Sequence, residues 1–187
     1  MSLEQVKVLI VDDSEVASRF LAHIIESDPH LKVIGFARDG IEAMELLNTI
    51  NPDVITMDIS MPKLNGFDVT RKIMETRPIP IVIVSGLYTQ NDVESGFKAI
   101  DSGALAILSR PSGVLDPQYA VMAKSLIDTI KVISGIKLVT RKKGKNSASV
   151  SQTKDFTLDG IKAIGMGASL GGPAALEKIL SSLPKGF

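Results

Sequence analysis

Three carboxylates, a hydroxyl and a guanidinium stand where short apolar runs of this chain end. Asp12 and Asp13 follow the run Val6–Val11, Asp58 follows Asp53–Met57, Ser85 follows Pro80–Val84, and Arg110 closes the run that starts at Leu105. A carboxylate is a nucleophile that can form an aspartyl phosphate. Three carboxylates brought together repel and raise one another's pKa. A divalent cation removes that conflict, and an all-oxygen ligand set that leaves positions for water suits Mg²⁺. The same ion offsets the charge of a phosphoryl group arriving at one of the carboxylates. A hydroxyl such as that of Ser85 can then donate to one phosphoryl oxygen, and a cation such as Arg110 can pair with another. Taken singly, each residue has a plainer reading: an Asp or Ser at a strand end caps a helix, and an Arg is a surface charge. Five polar groups at four strand ends are more than caps account for.

A second group lies near the end of the chain. Gly167-Ala168-Ser169-Leu170-Gly171 fits G-x-S-x-G. Between a strand and a helix, that pattern describes a sharp turn exposing the Ser169 hydroxyl beside a helix N-terminus. A phosphate-binding glycine loop is a competing reading. Gly165 and Gly167 begin a G-x-G-x-x-G pattern, which Leu170 breaks. A glycine-rich turn with no chemistry is the third.

The elements that must position these residues alternate regularly. Val6–Val11 is a β-branched apolar run, suited to a strand buried on both faces. Ser14 can cap the helix that follows, in which Val16, Phe20, Leu21 and Ile24 recur at helical spacing. Further strands are expected at Leu31–Ala37, Asp53–Met57, Pro80–Val84 and Leu105–Leu108. Further helices are expected at Gly40–Ile50, Phe67–Thr76, Asn91–Ser102 and Pro117–Ser134. Met61 to Gly66 is a loop by its Pro and Asn-Gly content. Five strand-then-helix units predict an α/β fold, a doubly wound five-stranded parallel sheet of flavodoxin-like order with helices on both faces. In such sheets, functional groups gather beyond the carboxyl ends of the strands, at the switch point. Residues 135–160 break the rhythm with Lys, Ser, Thr, Gly and Gln. They read as a linker, or alternatively as a basic patch for an acidic partner. One more strand, Ile161–Gly167, and a helix over Pro173–Leu183 follow, giving one βα unit of a second α/β domain. The expected organisation is therefore a domain over 1–134, a linker over 135–160 and a domain fragment over 161–187.

Composition narrows the function classes. Of the 187 residues 44% are hydrophobic, enough for a sizeable core, and 21 basic side chains balance 21 acidic ones. That balance argues against a dedicated nucleic-acid or membrane binder. It is uneven, because residues 135–154 hold six of the basic side chains and no acid. The chain has no cysteine, which excludes disulfides and thiolate metal sites. No apolar run reaches the roughly 18 residues of a membrane span. The opening MSLEQVK is not an export signal, so a cytoplasmic protein is expected.

Three stretches carry a resemblance: Val8-Leu9-Ile10-Val11-Asp12-Asp13-Ser14, the run from Met57 through Asp58 to Asn65-Gly66, and Val84-Ser85-Gly86. Together they resemble the response-regulator receiver family over about residues 1–134. The resemblance implies that Asp58 accepts a phosphoryl group from a histidine kinase. It also implies that Asp12, Asp13, Asp58 and the Ser60 carbonyl serve Mg²⁺, Asp12 mainly through water, and that Ser85 is the family's hydroxyl residue. Two positions depart from the pattern. Arg110-Pro111 stands where the family has Lys-Pro, and Ile107 where it has an aromatic ring. Arginine keeps the charge but is longer and forked.

Ile164 to Pro173, with Ala175-Leu176 and Leu183-Pro184, resembles the opening of the catalytic domain of chemotaxis protein-glutamate methylesterases. Those proteins carry a receiver, a linker and this domain in that order. The resemblance implies phosphorylation-controlled demethylation and deamidation of receptor glutamyl side chains, with a chemotaxis histidine kinase and methyl-accepting chemoreceptors as partners. It implies that Ser169 is the nucleophile. The family's catalytic histidine and aspartate are expected beyond residue 187, so this chain is expected to lack esterase activity. A receiver switch acting only by docking to other proteins is the alternative.

Overall fold

The computed structural model describes residues 5–86, 93–138 and 180–181. The chain divides into two compact units, Met1–Thr140 and Arg141–Phe187. The strand expected over 161–167, the helix expected over 173–183 apart from residues 180 and 181, the nucleophile candidate Ser169 and residues 139–160 of the linker lie outside the described residues.

The first unit alternates strand and helix throughout. In chain order the elements are β1 (Val6–Val11), α1 (Glu15–Ile25), β2 (Leu31–Ala37), α2 (Gly40–Leu46), β3 (Val54–Met57), α3 (Gly66–Thr76), β4 (Ile81–Ser85), α4 (Val93–Ser102), β5 (Ala106–Ser109) and α5 (Tyr119–Ser134). All strand pairs are parallel, in the order β2-β1-β3-β4-β5. Winding reverses between β1 and β3, so their carboxyl ends are neighbours with nothing crossing above them. This is the five-stranded flavodoxin-like fold predicted above.

Strand residues alternate between two cores. Leu9, Val11, Ile55, Met57, Ile81 and Ile83 face one side, against Ala43, Leu47, Val69, Ile73 and Ala99 of the α2, α3 and α4 regions. Val8, Ile10, Val54, Val82 and Val84 face the other, against Leu21, Ile24 and Ile25 of α1 and Leu126, Ile130 and Ile133 of α5. Burial of each large aliphatic side chain contributes about 1.5–3 kcal/mol, so the strands are fixed from both faces and their ends are held firmly.

Local chemistry sets the helix starts. Ser14 caps α1, its hydroxyl accepting the Ala17 N–H at 3.3 Å. Asp39 caps α2 by accepting from Ile41 and Glu42, and Asn65 caps α3 by accepting from Asp68. Most element ends fall within a residue or two of the sequence expectation, but the end of α2, the start of α5 and the exposure of Val16 differ from it. Helix α2 stops at Leu46 instead of Ile50. The turn after it is tied down by the Thr49 hydroxyl on the Leu46 carbonyl and by the Arg77 guanidinium on the Leu47 carbonyl. Helix α5 starts at Tyr119 instead of Pro117, because Asp116 takes the Gln118 N–H on its side chain and the Tyr119 N–H on its carbonyl. Val16, expected on the apolar stripe of α1, is 81% exposed. The buried positions are Ala17, Ser18, Leu21, Ala22, Ile24 and Ile25, a stripe that begins one residue later and is hence turned by about 100° of helix rotation from Val16.

Candidate functional site

Backbone hydrogen bonds continue past the strand ends and carry the polar residues into one place. The Asp12 N–H donates to Ala37 (3.0 Å), the Asp58 N–H to Val11 (2.9 Å) and the Arg110 N–H to Ser85 (2.9 Å). The residues expected to act together are thus aligned by the sheet itself. Asp12, Asp58 and Ser85 are buried, Arg110 is half-buried, and Asp13 is exposed at the mouth. A cleft of about 380 Å³ opens between Asp13, Asp58, Ser60, Ser85, Gly86 and Arg110. Ile107 is not part of its lining. It pairs with Ile83 and packs part-buried against the core under α2, α3 and α4.

Each buried carboxylate gives one oxygen to the backbone and turns the other to Arg110. Asp12 Oδ1 accepts the Ser14 N–H at 2.9 Å, and Asp58 Oδ2 accepts the Ser60 N–H at 3.1 Å. A single guanidinium nitrogen, Arg110 Nη2, stands 3.0 Å from Asp12 Oδ2 and 3.0 Å from Asp58 Oδ1. Only the contact to Asp58 has hydrogen-bond geometry, so Asp12 Oδ2 is buried without a hydrogen bond. Burial is the largest influence on the Asp12 carboxyl and raises its pKa above 3.8. The Ser14 N–H and Arg110 oppose the rise, and Asp58 and Asp13 add to it.

A divalent cation suits this arrangement. Asp12, Asp13 and Asp58 each offer a carboxylate oxygen within 4.8 Å of the others. The donors are all oxygen, and the buried Asp12 Oδ2 is left for a cation to satisfy.

The loop from β3 to α3 holds Asp58 from the other side, by devices that its Pro and Asn-Gly content does not specify. Gly66 does more than turn the chain. Its N–H donates to the Ile59 carbonyl at 2.9 Å, and a Cβ built on it would meet the Asp58 carbonyl oxygen at 1.9 Å. Only glycine allows α3 to begin this close to Asp58. Lys63 in the same loop takes a left-handed conformation (φ 70°), and its ammonium reaches Asp39 Oδ2 at 2.5 Å. The Lys63 bond, followed by the N–H groups of Glu42 and Ile41, lowers the pKa of Asp39. Asn-Gly is a sequence signal for Gly66; no residue-type preference points to Lys63.

The chain matches the response regulator receiver domain family over residues 8–116. It is 48% identical to a protein-glutamate methylesterase/protein-glutamine glutaminase of Nitrosospira multiformis, over 97% of this chain and 53% of that protein. It is 43% identical to another protein of that name from Geobacter metallireducens, with the same two coverages. The chain therefore spans about half the length of the curated relatives it matches. Among solved structures, the response regulator domain of Thermotoga maritima CheB is 36% identical with a TM-score of 0.64, covering 72% of this chain and 99% of that one. A chain from the complex of the CheA3 P1 domain with CheY6 of R. sphaeroides is 26% identical with a TM-score of 0.59, covering 70% and 97%. No helix among the described residues is long and apolar enough to cross a membrane. With its acidic cluster at the β1–β3 switch point and its matched sequence running through all five strands, the chain belongs to the response regulator receiver family.

Proposed function

We propose that Asp58 accepts a phosphoryl group from a phosphohistidine of a chemotaxis histidine kinase, and that this governs a cytoplasmic methylesterase and glutaminase acting on methyl-accepting chemoreceptors. One observation carries the reading. Asp58 lies at the floor of an open cleft, with one oxygen on a backbone N–H, the other on a cation, and two more carboxylates beside it. The names of the longer relatives and the G-x-S-x-G segment around Ser169 support the second half.

The chemistry is an in-line displacement. A carboxylate oxygen of Asp58 forms a bond to phosphorus while the bond from phosphorus to the donor's imidazole nitrogen breaks, that nitrogen keeping the electron pair. Asp13 and Asp58 directly, Asp12 through water and the Ser60 carbonyl would hold Mg²⁺, which when bound neutralises charge on the phosphoryl oxygens. The Ser60 N–H fixes the Asp58 carboxylate plane, and the buried Ser85 side chain lines the cleft where a phosphoryl oxygen would rest. Arg110 supplies the remaining positive charge. In the longer protein, Ser169 would be the nucleophile toward the glutamyl ester.

Incubation with a small-molecule phosphodonor and Mg²⁺ is expected to add one hydroxylamine-labile phosphoryl group per chain, seen by intact mass. Labelling of Asp58→Asn to the extent of the parent would remove Asp58 from this role.

A further inference from the structure

Among the described residues, Lys63 in the β3–α3 loop is the only non-glycine residue with a positive φ, at 70°. The Leu64 N–H closes onto the Pro62 carbonyl at 2.9 Å, so Lys63 is the centre of a γ-turn of the rare, strained hand. Such a conformation persists only where its surroundings over-determine it. The backbone of residues 60–64 supplies little of that. Beyond its own turn it bonds only to the two residues before it: the Ser60 N–H to Asp58 Oδ2 at 3.1 Å and the Met61 N–H to the Ile59 carbonyl at 3.2 Å. Met61 packs its side chain on the core. The polar tie to another element is the Lys63 ammonium, 2.5 Å from Asp39 Oδ2. Asp39 is itself firmly held. Its other oxygen accepts the Ile41 and Glu42 N–H groups at 2.9 and 3.0 Å, and its side chain is 13% exposed.

We propose that Lys63 is a positioning residue for phosphoryl transfer: its bond to Asp39 braces the β3–α3 loop against the start of α2 and so fixes Ser60, whose N–H orients the Asp58 carboxylate. The proposal rests on reading Asp58 as the phosphoacceptor. Lys63 does not line the cleft, so it acts through the loop and not on the reacting atoms. Asparagine and glycine take a positive φ more readily than lysine does. The turn alone therefore gives no reason for lysine at this position, whereas an ammonium facing Asp39 does. The bond joins residues 24 apart in sequence, and it is the link by which a shift of α2 would be felt at Ser60. A displaced Ser60 N–H would leave Asp58 Oδ2 free to turn, and small errors in the aim of a reacting oxygen cost rate more than they cost stability.

The full chain is compared with Lys63→Asn, Lys63→Arg, Asp39→Asn and the double variant carrying both asparagines. The initial rate of phosphorylation by acetyl phosphate at saturating MgCl₂ is followed by intact mass, and the folded fraction by urea unfolding. Asparagine at 63 suits the positive φ and removes the ammonium. Asparagine at 39 keeps an oxygen for the α2 cap and removes the charge. Each single asparagine variant is expected to be phosphorylated about tenfold more slowly per folded chain at saturating phosphodonor. The double variant should be no slower than the slower single one, because the two side chains act as a unit. Lys63→Arg is expected to restore most of the rate. A parent rate per folded chain in Lys63→Asn, whatever its urea midpoint, overturns the proposal and makes the bond merely structural. Slow phosphorylation of Lys63→Asn beside a parent rate in Asp39→Asn overturns it too, since the ammonium would then act elsewhere. Both results leave Asp58 as the phosphoacceptor; labelling of Asp58→Asn at the parent's rate removes that reading and the proposal together.

Discussion

Asp12 shows how much of the site's behaviour resides in one side chain. It is buried, carries two carboxylate neighbours, and has one oxygen without a hydrogen bond. Its pKa is raised chiefly by burial, so the folded chain holds this proton longer than the unfolded chain does. The sign follows: the stabilising contribution is fully present below the ordinary value of 3.8 and is lost as pH rises through the higher folded value. Asp12→Asn removes the charge while its side-chain oxygen keeps an acceptor for the Ser14 N–H. It is expected to stabilise the metal-free chain near neutral pH by about 1 kcal/mol, the scale of an unsatisfied buried polar group. The gap should close toward about pH 4, where the parent carboxyl regains its proton. Urea unfolding in EDTA across that range checks it, and equal stabilities at neutral pH would contradict it. The same substitution is expected to weaken Mg²⁺ binding, a trade of stability for function. The acidic types at positions 12, 13 and 58 were legible in the sequence, because each ends an apolar run. That one nitrogen of Arg110 reaches two of them was not, because it depends on how far β5 stands from β1 across β3 and β4.

At the scale of elements, the β3–α3 loop carries the most constraint per residue. Asn65 caps α3, Gly66 packs against the Asp58 carbonyl, and Lys63 ties the loop to the cap of α2 through Asp39. Gly66→Ala would force a methyl group into a backbone oxygen that cannot move without shifting the phosphoacceptor. A loss of about 3 kcal/mol is expected, the upper range for overpacking, together with slower phosphorylation of whatever remains folded. Chemical denaturation and phosphodonor labelling at equal folded fraction separate the two effects; wild-type stability would mean that the loop yields freely. Strand positions were legible to within a residue or two, because period-2 burial on both faces leaves long β-branched runs such as Val6–Val11 and Ile81–Val84. Helix ends were less so. The stop of α2 at Leu46 depends on Arg77, thirty positions downstream in sequence, binding the Leu47 carbonyl. The exposure of Val16 depends on a stripe offset by one residue, which an apolar residue inside a helical pattern does not reveal. Asp116 sets the start of α5 two residues past Pro117 by local hydrogen bonds.

Across the whole molecule, the reversal of winding between β1 and β3 converts a one-dimensional alternation into a cleft, because it leaves two strand ends side by side. That topology was legible from five βα units and short connections, since right-handed crossovers leave few alternatives. The chemistry of residues 141–187 is argued from sequence. Ser169 in Gly167-Ala168-Ser169-Leu170-Gly171 can be a nucleophile only if a base takes its proton and a partner orients that base. The chain has two histidines, His23 and His30, both exposed in the first unit, and residues 161–187 hold none. A triad stripped of its base loses several powers of ten in rate. A single βα unit also buries too little apolar surface to hold a strained turn. The 187-residue chain is therefore expected to release no more methanol from methylated chemoreceptor than its own Ser169→Ala variant does. The same chain extended with the remaining part of the Nitrosospira multiformis relative, which this chain matches over 53% of its length, is expected to be active and to lose that activity on Ser169→Ala. Activity in the short chain above its Ser169→Ala background would mean that a base exists within these 187 residues. Full activity in the extended Ser169→Ala protein would mean that Ser169 is not the nucleophile.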